Sequence, residues 1–171
     1  MKKTVTISAV LLVCILSMTG VRNLSAQDKP VHYMGMTSVN ISPYIPLPIL
    51  STAPSISLHT SHGAYFEKSG LYTGVSAEFM CSLVPVGHVS SHSRYYYPVA
   101  QNGRTRGYAG VELGVGFDWQ DGGPVFFHGA AELGFTLNLG AVDLDLGLRA
   151  QFMPPYAFDC FFLPVKIGLV F

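Results

Sequence analysis

Along most of this chain, apolar residues recur at every second position, the signature of strands with two unlike faces. Residues Ile56–Phe66 place Ile56, Leu58, Thr60, His62, Ala64 and Phe66 on one face. Leu71–Cys81 does the same with Leu71, Thr73, Val75, Ala77, Phe79 and Cys81. Tyr108–Trp119 aligns Ala109, Val111, Leu113, Val115, Phe117 and Trp119. Val125–Leu139 aligns Val125, Phe127, Gly129, Ala131, Leu133, Phe135, Leu137 and Leu139. Val142–Phe152 aligns Val142, Leu144, Leu146, Leu148, Ala150 and Phe152, and the closing segment aligns Phe161, Leu163, Val165, Ile167, Leu169 and Phe171. None of these faces carries Asp, Glu, Lys or Arg. Two weaker segments, Tyr33–Ile41 and one within Ser90–Gln101, bring the strands to eight. Each is close to the roughly 9–11 residues with which a tilted strand crosses a bilayer.

Short and long connections alternate along the chain. The short ones are Glu67–Gly70, a turn containing Asn102–Gly103, and Gly140–Ala141. Asn-Gly favours a two-residue hairpin because both residues tolerate positive φ. The others are Pro43–Pro54, Ser82–Val89, Gln120–Pro124 and Met153–Asp159. That is the connectivity of an up-and-down barrel with both ends on one side of a membrane.

Alternation alone leaves two opposite structures open: a soluble sandwich or barrel with the apolar face inside, or a membrane barrel with it outside. The second face decides for the membrane. It holds Gly74, Gly110, Gly114, Gly116, Gly134, Gly147 and Gly168, which weaken a solvent-facing strand but make room in a narrow lumen. Its basic residues in the six clear strands are only Arg149 and Lys166. Aromatic residues gather near strand ends, at Phe66, Phe79, Trp119, Phe127, Phe152, Phe161 and Phe171, as in interfacial girdles. Pro164 removes one ladder donor near a strand end, where a bulge is tolerated. The expectation is an all-β fold, an eight-stranded antiparallel up-and-down transmembrane β-barrel.

Composition agrees. Of 171 residues, 12% are charged, about half the usual share, so water is a poor candidate for what covers the surface. No basic run points to nucleic acid. The N-terminus has Lys2 and Lys3, an apolar run around Val10–Leu16, and small residues up to Ala26. That is a secretory signal, with cleavage expected after Ala26. The organisation expected is therefore a signal peptide over 1–26 and one barrel domain over 27–171.

The chain resembles the small eight-stranded outer-membrane barrel family of bacteria, which includes outer membrane protein X and the transmembrane part of outer membrane protein A. The resemblance covers the whole mature chain and is carried by its pattern, most specifically by the ending Val165, Ile167, Leu169, Phe171. It implies an outer-membrane location and a C-terminal signal for the barrel-assembly machinery. Leu169 stands where many members carry an aromatic residue.

Candidate chemistry is sparse, and no cofactor is implied. Glu78, Glu112, Glu132, Asp143, Asp145, Arg149 and Lys166 are expected to project into one lumen and to form an ion-pair network that plugs it. A narrow path for protons or small ions is the competing reading. His59 and Ser61 keep part of the His-x-Ser-Asn motif of outer-membrane lipid A deacylases, but His62 replaces Asn and the pattern aims His59 and Ser61 inward. His88 and His92 fall in an expected solvated loop, a poor metal site without a local carboxylate. Cys81 and Cys160 form an even pair suited to an oxidising compartment, although strands three and eight are not neighbours. The connection carrying Tyr44, Ile45, Leu47, Ile49 and Leu50 is unusually apolar, a candidate contact for a surface partner or a small apolar ligand. The expected role is structural or surface interaction, with outer-membrane lipid as the surrounding partner. Transport stands second and lipid modification third.

Overall fold

The computed structural model describes residues 31–42, 46–47, 50–51, 55–81, 85–99, 104–118, 125–153 and 161–171. The expected signal peptide, Trp119, Cys160 and the Asn102–Gly103 turn lie outside them. Eight antiparallel strands close on themselves: β1 (Val31–Ser42), β2 (Ser55–Phe66), β3 (Leu71–Cys81), β4 (Val86–Pro98), β5 (Thr105–Asp118), β6 (Val125–Asn138), β7 (Asp143–Phe152) and β8 (Val165–Val170). Each pairs with its sequence neighbours, and β8 returns to β1 through pairs from Ile41↔Val165 to Met36↔Val170. Among the described residues, closure leaves the eight-stranded sheet without a free edge, as a bilayer requires.

Two short turns mark one end of the barrel. At 67–70, Gly70 has φ +67° and donates its N–H to Phe66 O at 2.9 Å. Between β6 and β7, Leu139 N donates to Val142 O at 3.0 Å across Gly140, whose φ is +107°. The longer connections lie at the opposite end, where Pro46–Leu47 and Leu50–Ser51 form a small separate ladder.

The apolar phase faces outward. Leu58, Val75, Leu133 and Leu148 are all about three-fifths exposed, at 58%, 61%, 63% and 61%. Every Asp, Glu, Lys and Arg in the described strands lies on the inward phase. Exposed Phe79, Phe127 and Phe152 ring the long-connection end; Tyr33, Tyr95, Tyr97, Phe135 and Phe171 ring the other. Phe66 departs from the expected girdle, being 4% exposed at the end of β2.

Three boundaries differ from the sequence reading. β4 starts at Val86, so the expected loop over 82–89 is four residues shorter on that side. The cause is a strand with little hydrophobic contrast: its inward series is Val86, His88, Ser90, His92, Arg94 and Tyr96, and its outward one mixes Ser with Tyr. β5 starts at Thr105, three residues before the expected Tyr108. The closing strand is interrupted at 163–164, with Phe161–Phe162 as its detached outer piece. Pro164 introduces no bulge: Phe162↔Gln151 and Val165↔Leu148 keep one register, and Pro164 O still accepts from Arg149 N at 3.0 Å.

Candidate functional site

Among the described residues, buried charged side chains gather in the barrel interior. From the short-turn end inward, the first layer is apolar and aromatic: Met34, Met36, Tyr72, Tyr96, Tyr108 and Val170 pack as one cluster. Glycine makes this layer possible, since a Cβ on Gly134 or Gly147 would collide with the Tyr108 hydroxyl. At the rim, Arg106 pairs with Asp143, whose second oxygen accepts from Asn138 Nδ2 at 2.7 Å.

Next comes a balanced set of two acids and two bases. Arg94 donates from Nε to Glu132 at 2.6 Å and from Nη1 to Asp145 at 3.0 Å. Lys166 Nζ reaches the same two carboxylates, at 2.8 and 3.2 Å. The Arg94 guanidinium carbon lies 4.1 Å from the centroid of Tyr108, so one face of the cation rests on a ring. Charges buried this deeply persist because each is paired and hydrogen-bonded.

Deeper toward the long-connection end, Arg149 bridges two acids, Glu78 at 2.9 Å and Glu112 at 2.8 Å. Glu78 also accepts from Gln151 Nε2 at 2.7 Å, from Asn40 Nδ2 at 3.3 Å and from Ser57 Oγ. Ser76 donates to Glu112 at 3.1 Å. Beyond these sit the stacked rings of His88 and His128, 4.2 Å apart and 9° from parallel. Met80, Val86, Phe126 and Met153 close that end as a second apolar cluster.

Six of the seven charged residues singled out in the sequence thus meet in the interior, while Asp143 sits at the rim with Arg106. Arg94, in the weakly patterned β4, and His128 join this interior without having stood out in the sequence. His88 and His92 are a correction. They are 2% and 0% exposed on β4, not in a solvated loop, and carboxylates face them across the sheet: His88 pairs in register with Glu78 and His92 with Glu112.

His59 and Ser61 are both fully buried in the lumen. Ser61 instead joins a chain in which its Oγ lies 2.6 Å from Tyr72 Oη and 2.9 Å from His92 Nδ1, while His92 Nε2 is 2.8 Å from Glu132. A serine, an imidazole and a carboxylate in line resemble a hydrolytic relay. None of them has a surface that a lipid could reach. His62 lies on the outer face against Tyr33 and Thr60, at 2.5 and 3.0 Å.

The four terminal positions alternate as a lipid-facing edge, with Val165, Ile167, Leu169 and Phe171 exposed between Lys166, Gly168 and Val170 inside. Cys81 is exposed and free. Within the apolar connection, Leu47 and Leu50 pair through their backbones, while Tyr44, Ile45 and Ile49 lie outside the described residues.

No protein-family model and no curated protein matches this sequence. Solved structures do. Neisserial surface protein A is similar over 83% of this chain and 97% of its own, with a TM-score of 0.57 at 12% identity. The N-terminal β-barrel domain of OprF from Pseudomonas aeruginosa is similar over 81% and 96%, again with a TM-score of 0.57 at 12% identity. At that identity the likeness is one of fold, and the fold of this chain is that of the small eight-stranded outer-membrane barrels.

Proposed function

We propose that this protein is a closed barrel of the bacterial outer membrane, exported by a signal peptide over 1–26 and acting through what it displays. The supporting observation is the interior itself. Arg94, Arg149 and Lys166, each 1% exposed, tie six strands together across the lumen through Glu78, Glu112, Glu132 and Asp145. Apolar clusters cover the network at both ends. To conduct, the barrel would have to break ion pairs in a medium of low dielectric, where losing one partner costs about 3–5 kcal/mol.

The role left to such a barrel is structural, or one of surface interaction through its long connections. The apolar segment of Tyr44, Ile45, Leu47, Ile49 and Leu50 is the candidate contact for a surface partner or a small apolar ligand. The closing strand, ending in Phe171, is the candidate contact for the assembly machinery.

Planar-bilayer or liposome conductance separates this reading from transport. The closed barrel gives no ion current above that of protein-free membranes, and steady unitary conductance would replace the scaffold reading with a transport one. Deleting residues 45–50 should leave the barrel folded while removing surface binding.

A further inference from the structure

Four buried imidazoles gather in the half of the lumen toward the long connections. They fall into two sets, His59 with His92 and Glu112, and His88 with His128 and Glu78. In each set one donor atom per residue lies within 4.8 Å of the other two. The sets differ in how far those donors are already engaged. Both nitrogens of His92 are engaged, by Ser61 and Glu132.

In the second set three of the four ring nitrogens are uncommitted among the described residues. Neither nitrogen of His88 has a hydrogen-bond partner among the described residues, and its approach of 3.6 Å to Glu78 is too long for one. His128 engages only Nδ1, 2.9 Å from Ser90 Oγ, and its Nε2 has no partner among the described residues. Buried polar atoms without partners are rare, because desolvation without a new bond is costly. Donating Nδ1–H to Ser90 leaves the lone pair of His128 on Nε2, the arrangement by which an outer hydrogen bond orients a ligating histidine. Glu78 is oriented in the same way, by Gln151 and Asn40.

Charge points in the same direction. Glu78 and Glu112 share the single guanidinium of Arg149, so with neutral imidazoles this layer holds one negative charge beyond what Arg149 offsets. A divalent cation entering there meets that net negative charge and takes the layer from −1 to +1.

We propose that Glu78, His88 and His128 form a binding site for a divalent first-row transition-metal ion of the zinc class. Two imidazoles and one carboxylate are a zinc ligand set. The stacked rings converge on one ion when His88, held by no hydrogen bond, swings out of the stack. The bound ion ties β3, β4 and β6 together below the long connections. Its surroundings are dry on one side, where Phe126 meets the His88 ring edge-on at 5.8 Å.

The test uses the full mature barrel in detergent, stripped with chelator and titrated with Zn²⁺ or Co²⁺. The site retains one Zn²⁺ per chain through gel filtration, gives a visible ligand-field band with Co²⁺, and raises the urea midpoint when loaded. H88Q and H128Q lower the affinity at least about tenfold, while H62Q, on the outer face, leaves it unchanged. Should those inner variants fail to show the folded gel band, Ser90→Ala removes only the orienting hydroxyl and also weakens binding. Wild-type barrel that retains no Zn²⁺ and gives no Co²⁺ band overturns the proposal. So does binding that survives in folded H88Q and H128Q, or that depends on His59 and His92 instead.

Discussion

Phe171, the last residue, exchanges both backbone hydrogen bonds with Gly35 of the first strand, at 2.7 Å for Gly35 N to Phe171 O and 2.9 Å for the reverse. The ring of Phe171 lies where a Cβ on Gly35 would stand. The barrel seam therefore ends on a glycine that admits an aromatic ring. Gly35→Leu should cost about 1–3 kcal/mol through overpacking, read from urea unfolding in detergent. Phe171→Ala in the same chain should recover part of that loss. Independent, additive effects would show that the two residues do not share the seam as described.

Arg149 supports two carboxylates at once, so its removal strands both. Arg149→Leu should lower stability by about 3–5 kcal/mol, the range for breaking a buried pair. Wild-type resistance of that variant to urea or heat would remove the structural role assigned to the network.

Lys166 shares Glu132 and Asp145 with Arg94, which stays in place when the lysine is lost. Lys166→Met should therefore destabilise the barrel less than Arg149→Leu does. The comparison is made by unfolding both variants side by side, and a reversed order would contradict the layer-by-layer charge balance.

The outward face offers a depth-resolved test of the lipid. Leu133, in the middle of β6, pairs with Leu148 and is 63% exposed; Val125 starts the same strand near the rim. Leu133→Arg should cost about 2–4 kcal/mol and Val125→Arg about 0–1 kcal/mol. Equal, small costs measured in lipid vesicles would mean that this face meets water.

The barrel was legible wherever the two faces of a strand differ. Leu144, Leu146 and Leu148 against Asp143, Asp145 and Arg149 admit a single phase, and a one-residue slip would carry three charges into lipid. β4 was illegible for the converse reason. His88, Ser90, His92 and Arg94 alternate with Val89, Ser91, Ser93 and Tyr95, so period two carries almost no contrast there. The interior network was legible as a set of inward charges but not as a set of partners. Arg94 is separated from Glu132 by 38 positions and from Asp145 by 51, and only barrel closure brings them together. The imidazoles were obscured because neutral histidine suits a loop, a lumen or a metal equally well.

A barrel that spans a membrane with its charges inside shows itself on a detergent gel. Protein from the membrane fraction is run with and without boiling. Two bands of different mobility are expected, the unboiled one a compact barrel that still holds its closed sheet. A protein recovered in the soluble fraction, with one mobility regardless of boiling, would contradict it.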